Sequence, residues 1–151
     1  MSELLYLEDV FVGQRFVTGT HTLTSEAIKS FARDFDPQPF HTDEAAAEDS
    51  FFDGLAASGW HTAAVTMRMQ VDSGPHIAGG MIGAGVEEMR WTAPVRPGDT
   101  IRTEIEVVGV RHSQSRPDYG VVRTRSLAFN QRNEVVLRST VNFLAPVRPT
   151  A

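Results

Sequence analysis

The chain has 151 residues, of which 41% are hydrophobic and 9% aromatic, which is sufficient for one ordinary domain with a single core. Its formal net charge is −5 and its pI is near 5.5, so it has the wrong sign for neutralising phosphates, and nucleic acid is not an expected partner. It contains no cysteine, which excludes disulfides, thiolate nucleophiles and cysteine-based metal sites.

The first residues are acidic and lack the basic and then apolar pattern of a secretory signal, so a cytoplasmic location is expected. The most apolar stretch, Leu55 to Val71, contains Arg68 and Gln70 and is shorter than the roughly 20 residues of a membrane span. No membrane partner is expected. Because no repeat or linker interrupts the chain, residues 1–151 are predicted to form a single domain.

The first half of the chain predicts one strand followed by helices. A strand is expected over residues 14–23, and a helix capped by Thr24 is expected to run to about Phe35. Asp43 is expected to cap a second, short helix over residues 44–49.

The segment from Ser58 to about Asp72 is apolar on nearly every helical face, so this helix is expected to be enclosed by the rest of the protein. After it, apolar and polar residues alternate as in half-buried strands. Such strands are predicted near Val86–Trp91, 101–108, 120–130 and 135–144, with a turn at Pro97-Gly98. The predicted fold class is therefore α+β, with an antiparallel sheet covering a central helix.

The loop Asp36-Pro37-Gln38-Pro39-Phe40-His41-Thr42-Asp43 carries the most informative pattern. Two prolines stiffen it and hold a carboxylate and an imidazole five residues apart, a pair that can deprotonate a water and return a proton to carbon. In the alternative interpretation, Asp36 is a helix-end acceptor and His41 an ordinary, partly buried histidine. The residues alone leave both interpretations open, whereas a capping role is favoured for Asp43.

Small residues, Ala56-Ala57-Ser58-Gly59, lead into the central helix. A free backbone N–H in the first turn can stabilise a developing oxyanion, and Gly59 is the candidate donor. The alternative is that these residues are small only because helix and sheet pack tightly there.

Three other kinds of site are disfavoured. Gly79–Gly85 is followed by a strand pattern and not by a helix, so hairpin and bulge glycines are expected there and a nucleotide loop is not. His41, Asp43 and His61 lack the spacing of a metal site, and no metal is expected. Ser58 lacks the flanking glycines of a serine hydrolase.

These motifs resemble the MaoC-like hydratases and dehydratases, which include the (R)-specific enoyl-CoA hydratases. The family pattern begins with the motif Asp-x-Asn-Pro-x-His-x-Asp. It continues with a short alanine-rich helix, an aromatic residue and a stretch of Ala-His-Gly type, and a strand and a turn follow. The matching segments are Asp36 to Asp43, Ala45-Ala46-Ala47, Phe51-Phe52, Ala57-Ser58-Gly59 and Glu88 to Asp99. Gln38 and Ser58 depart from the family's Asn and His.

The resemblance implies the hotdog fold and a hydratase or dehydratase of acyl thioesters, converting trans-2-enoyl-CoA to (R)-3-hydroxyacyl-CoA in fatty acid metabolism. Asp36 and His41 match the catalytic pair, and Gly59 matches the glycine that polarises the thioester carbonyl. The substrate is an acyl-CoA or an acyl-carrier-protein thioester, no further cofactor is implied, and a homodimer or higher even oligomer is expected.

Four residues are expected to contact the substrate beside these groups: Gln38, Phe40, Ser58 and Trp60. Two alternative functions remain. A hotdog thioesterase would place a carboxylate on the central helix, and residues 59–71 contain none. A non-catalytic acyl-thioester binding subunit would not need the Asp36 and His41 pair.

Overall fold

The computed structural model describes residues 3–150. A five-stranded antiparallel sheet has the strand order β1-β3-β4-β5-β2, so β1 and β2 are its edges. The strands are β1 (Arg15–Thr22), β2 (Ile82–Trp91), β3 (Thr100–His112), β4 (Tyr119–Phe129) and β5 (Val135–Pro146). The predicted α+β class with four late strands is confirmed, and Gly83 and Gly85 flank a register shift in β2, as expected of bulge glycines.

Four helices lie between β1 and β2 along the chain: α1 (Ser25–Phe35), α2 (Pro39–Thr42), α3 (Glu44–Glu48) and α4 (Gly59–Ser73). The hydroxyl of Thr24 accepts a hydrogen bond from the Ala27 N–H at 3.1 Å, which confirms the predicted cap of α1. Helix α2 was not predicted. Pro37 follows the last residues of α1, whereas Pro39 begins α2, because proline is well suited to the first position of a helix.

One side of α4 packs against the sheet. Val65 and Met69 are buried in a cluster that also contains Leu23, Ile28, Ile101 and Leu137. Helix α4 contacts both β1 and β3, so the sheet curves around this face of the helix. This packing fixes the first turn of α4, where Gly59 lies.

The opposite side of α4 is open. Trp60, Met67 and Val71 are 59%, 50% and 55% exposed, and Ala64 is exposed between them. Their spacing of three and four residues places them on one helical stripe. The prediction that α4 is enclosed on every side is therefore wrong for the single chain, because the strands cover only the Val65 and Met69 side. Within residues 3–150, no helix combines the length and the apolarity needed to cross a bilayer.

Candidate active site

Asp36 and His41 come together where α1 ends and α2 begins. The Asp36 N–H donates to the Ala32 carbonyl at 2.8 Å, closing α1, and the His41 N–H donates to the Gln38 carbonyl at 3.0 Å. The tight turn brings Oδ2 of Asp36 within 3.4 Å of Nε2 of His41. The His41 side chain is 6% exposed and that of Asp36 19%, so the pair lies at the base of a cleft and not on the surface.

A backbone carbonyl determines the tautomer of His41. Nδ1 lies 2.6 Å from the Ala56 oxygen in a buried contact. Because a carbonyl oxygen can only accept, Nδ1 must carry the hydrogen. In the neutral imidazole, Nε2 is then an unprotonated acceptor that faces Asp36.

Two side chains hold the Asp36 carboxylate. The Ser58 hydroxyl donates to Oδ2 at 2.7 Å, and the Gln38 amide donates to Oδ1 at 2.6 Å. Partial burial raises the pKa of Asp36, but these two hydrogen bonds and the nearby His41 imidazole outweigh it and hold the pKa below its ordinary value. Asp36 is therefore a carboxylate at neutral pH.

Gly59 begins α4 beside the pair. In residues 3–150 its N–H has no hydrogen-bond partner, whereas its carbonyl accepts from the Trp91 indole N–H at 2.7 Å. A Cβ at this position would overlap the Trp91 ring. Close packing therefore requires glycine here, and its N–H is among the donors that the first turn of a helix leaves unpaired.

Asp36, His41 and Gly59 line one cleft of about 580 Å³. Its walls come from the loop after α3, the first turn of α4 and the chain that follows β2. The lining residues include Asp36, His41, Phe51, Phe52, Gly59, Trp60, Trp91 and Arg96. The Trp60 and Trp91 rings meet edge to face at 5.2 Å. Apart from its base, the cleft is mainly aromatic and apolar, a surface that suits an acyl chain.

The sequence-predicted site residues divide into two groups. Asp36, His41, Gly59 and Trp60 line the cleft. The other three surround the pair: Ser58 is fully buried, Gln38 is exposed, and Phe40 packs edge-on against the His41 ring at 4.6 Å.

The sequence pattern does not reveal the contacts made by Trp91 and Arg96. Both residues lie in the segment from Glu88 to Asp99, whose pattern predicts a strand and a turn but does not show that it reaches Gly59 and the cleft. Ser58 is expected from the sequence to contact the substrate, whereas in the structure its hydroxyl bonds to Asp36, 22 residues away in the sequence. Within residues 3–150, no group of three or more His, Asp or Glu side chains is arranged to hold a metal ion.

Comparison with known proteins identifies the family. The model of the MaoC-like domain matches residues 10–128. The structure of the MaoC-like dehydratase from Rhodospirillum rubrum is 53% identical and superposes with a TM-score of 0.92, over 97% of this chain and 99% of that one. The chain belongs to the MaoC-like domain family and has its hotdog fold.

Two further relatives bear on function. The R-hydratase PhaJ1 of Pseudomonas aeruginosa is 26% identical with a TM-score of 0.73, over 95% of this chain and 86% of that one. The uncharacterized protein YdeM of Bacillus subtilis is 28% identical over 138 residues, which cover 91% of this chain and 96% of that protein. The family thus includes both hydratases and members of unknown activity.

Proposed function

We propose that the protein is a hydro-lyase that adds water to, or removes it from, an acyl thioester, with trans-2-enoyl-CoA and (R)-3-hydroxyacyl-CoA as the reacting pair. The observation that carries the proposal is the Asp36 carboxylate, whose Oδ2 lies 3.4 Å from Nε2 of His41, at the base of a cleft that Gly59 also lines. The similarity to an R-hydratase supports it.

In the hydration direction, the two acceptors Asp36 Oδ2 and His41 Nε2 hold one water between them and draw its hydrogens away from the attacking oxygen. The oxygen adds to the β-carbon while the double bond shifts toward the thioester carbonyl. The Gly59 N–H, at the positive end of α4, stabilises the negative charge on that carbonyl oxygen. The pair takes one proton from the water and returns one to the α-carbon, so no further cofactor is needed.

The partner we propose is a second copy of the chain. The exposed stripe Trp60, Ala64, Met67 and Val71 continues, through the contact between Trp60 and Trp91, to the exposed Val86, which lies on the same side of edge strand β2 as Trp91. We call these five residues and Trp91 the α4–β2 face. Pairing this face in a homodimer, or in a higher even oligomer, would bury apolar surface and cover an unpaired sheet edge. The cytoplasm is the location that we propose for this assembly.

The proposed activity is tested with a panel of enoyl-CoA thioesters, monitored in parallel by the ultraviolet absorbance of the conjugated double bond and by a thiol reagent. We expect loss of the chromophore without thiol release, and chiral chromatography should identify the (R)-3-hydroxyacyl product. Release of CoA thiol would instead indicate a thioesterase, and binding without turnover a non-catalytic subunit. The chain has no cysteine, so the thiol assay has no protein background.

A further inference from the structure

The carbonyl that orients His41 lies in a segment without regular secondary structure. Residues 49–58 connect α3 to α4, and residues 52–58 belong to no helix or strand. Asp53 has a φ of 52° and Gly54 a φ of 143°, so the backbone turns through the left-handed region here. A backbone of this kind must be held by contacts from elsewhere if the Ala56 oxygen is to keep one position.

Two backbone bonds hold the segment, from the Gly54 N–H to the Ala47 oxygen at 2.9 Å and from the Ala56 N–H to the Phe40 oxygen at 3.2 Å, and the Arg96 guanidinium supplies three more contacts. Its Nη1 donates to the Gly54 oxygen at 2.9 Å and to the Leu55 oxygen at 3.3 Å, and its Nη2 donates to the Phe52 oxygen. One side chain therefore holds three carbonyls within the four residues that precede Ala56. A planar guanidinium offers donors in several fixed directions at once, which a lysine ammonium does not.

The backbone of Arg96 is itself fixed by a hydrogen bond to the buried Asp99. Its backbone N–H donates to Oδ2 of Asp99 at 2.8 Å, and the Gln131 amide donates to the other Asp99 oxygen at 2.9 Å. Asp99 is only 3% exposed. The neighbouring Val95 carbonyl accepts from the Ala57 N–H at 2.8 Å, which ties the turn before β3 to the entrance of α4.

From these contacts we infer that Arg96 is a positioning residue for His41. It holds residues 52–55 so that the Ala56 oxygen accepts from Nδ1, which leaves Nε2 as the ring nitrogen that faces Asp36. The catalytic consequence rests on the proposed function, but the effect on the imidazole does not. Arg96 also lines the cleft, so direct contact with the substrate is the competing role.

The two roles predict different kinetics. If Arg96 positions His41, Arg96→Met should lower kcat about tenfold or more with little change in KM, because a small misplacement of a catalytic group reduces the rate. If Arg96 binds the substrate in the same way in the ground state and the transition state, KM should rise and kcat should stay unchanged. The matched control is Arg132→Met, since Arg132 also faces Asp99, at 4.0 Å, but does not bond the segment 52–55.

The deciding measurement is the nitrogen NMR spectrum of protein labelled at histidine, recorded without substrate, with His41→Gln used to assign the His41 signals. At a pH at which the imidazole is neutral, we expect a protonated Nδ1 and an unprotonated Nε2 in the wild type; in Arg96→Met we expect a mixture of tautomers, and in Arg132→Met the wild-type pattern. Arg96→Lys should also show the mixture, and it decides the question if Arg96→Met does not fold. A folded Arg96 variant with the wild-type tautomer, or with only KM changed, would overturn the inference. An altered tautomer in a protein inactive on every thioester would contradict the proposed function alone.

Discussion

At the scale of single residues, the proposed chemistry depends on two groups that act on one water. We expect Asp36→Asn and His41→Ala each to lower kcat by roughly a hundredfold or more, since a general acid or base typically contributes that much. Because both groups hold the same water, their effects should not multiply in the double variant. Steady-state kinetics with an enoyl-CoA, and circular dichroism to check folding, provide the measurement. A double variant slowed by the product of the single effects would contradict the shared water.

Ser58 makes a separate prediction about the charge on Asp36. Its hydroxyl bond helps to lower the pKa of that carboxyl, so Ser58→Ala should move the pKa up toward the ordinary value. A carboxyl with a lowered pKa in the folded state adds stability above its ordinary pKa and loses it as the pH falls through the folded value. At neutral pH, Ser58→Ala should therefore be less stable than the wild type. Its stability should also fall less on acidification. Carbon NMR titration of Asp36 measures the shift. Ser50→Ala, whose hydroxyl donates to the Ala47 carbonyl, is the control, and equal pKa values in the two variants would contradict the assignment.

Trp60 tests where the acyl chain runs. The ring lines the cleft and is largely exposed, so in the single chain it is not a core residue. We expect Trp60→Ala to raise kcat/KM for octenoyl-CoA relative to crotonyl-CoA, because removing the ring opens space beside Gly59. The ratio should be measured in wild type and variant at a temperature at which both are folded. An unchanged ratio would place the acyl chain along a different wall of the cleft.

At the scale of elements, the contact between α1 and α4 should be sensitive to pH. The His61 ring stacks on Phe31 of α1 at 4.7 Å, and its buried Nδ1 has no hydrogen-bond partner within residues 3–150. Burial lowers the pKa of His61, and the charge of His21 adds to this effect. Since the unfolded chain then binds a proton more readily than the folded one, stability should decrease as the pH falls through the ordinary histidine range near 6.5.

This pH dependence can be separated from that of the other histidines. His61→Phe keeps an aromatic ring on Phe31 but cannot be protonated, so the loss of stability between about pH 7 and pH 5 should become smaller. Thermal unfolding at several pH values measures it, with His112→Phe, at an exposed position near the end of β3, as the control. The same slope in His61→Phe and in the wild type would show that another group titrates.

The elements also show which features sequence patterns can predict. The cap at Thr24, the cap at Asp43 and the alternation in β3 are local, and the structure contains all three. The contacts of Arg96 with residues 52–55 join segments more than forty residues apart. No periodicity within either segment contains that information, so the support of His41 could not be predicted from the sequence.

At the scale of the whole molecule, the α4–β2 face should join two copies of the chain. The sequence pattern predicted a helix that is apolar on nearly every face, but it could not show that this chain's own sheet covers only one side of α4. We expect Met67→Glu to convert a dimer into a monomer, since it buries a charge without a partner at the interface. The matched control is Val17→Glu, which places the same charge at an exposed position on the other edge strand, β1.

Sedimentation velocity at micromolar concentration measures this difference. A single species of monomer mass for the wild type, with full activity, would contradict the proposed assembly. A dimer disrupted by Val17→Glu and not by Met67→Glu would place the interface at the β1 edge.

The most direct test of the proposed function is to follow the oxygen atom of the added water. The wild type and Asp36→Asn are incubated with crotonyl-CoA in water enriched in oxygen-18, and the products are analysed by mass spectrometry. The proposed mechanism predicts one labelled oxygen on the β-carbon of an intact 3-hydroxyacyl thioester with the wild type, and almost none with Asp36→Asn in the same time. Label found in a free carboxylate, or incorporated equally by both proteins, would contradict hydration by the Asp36 and His41 pair.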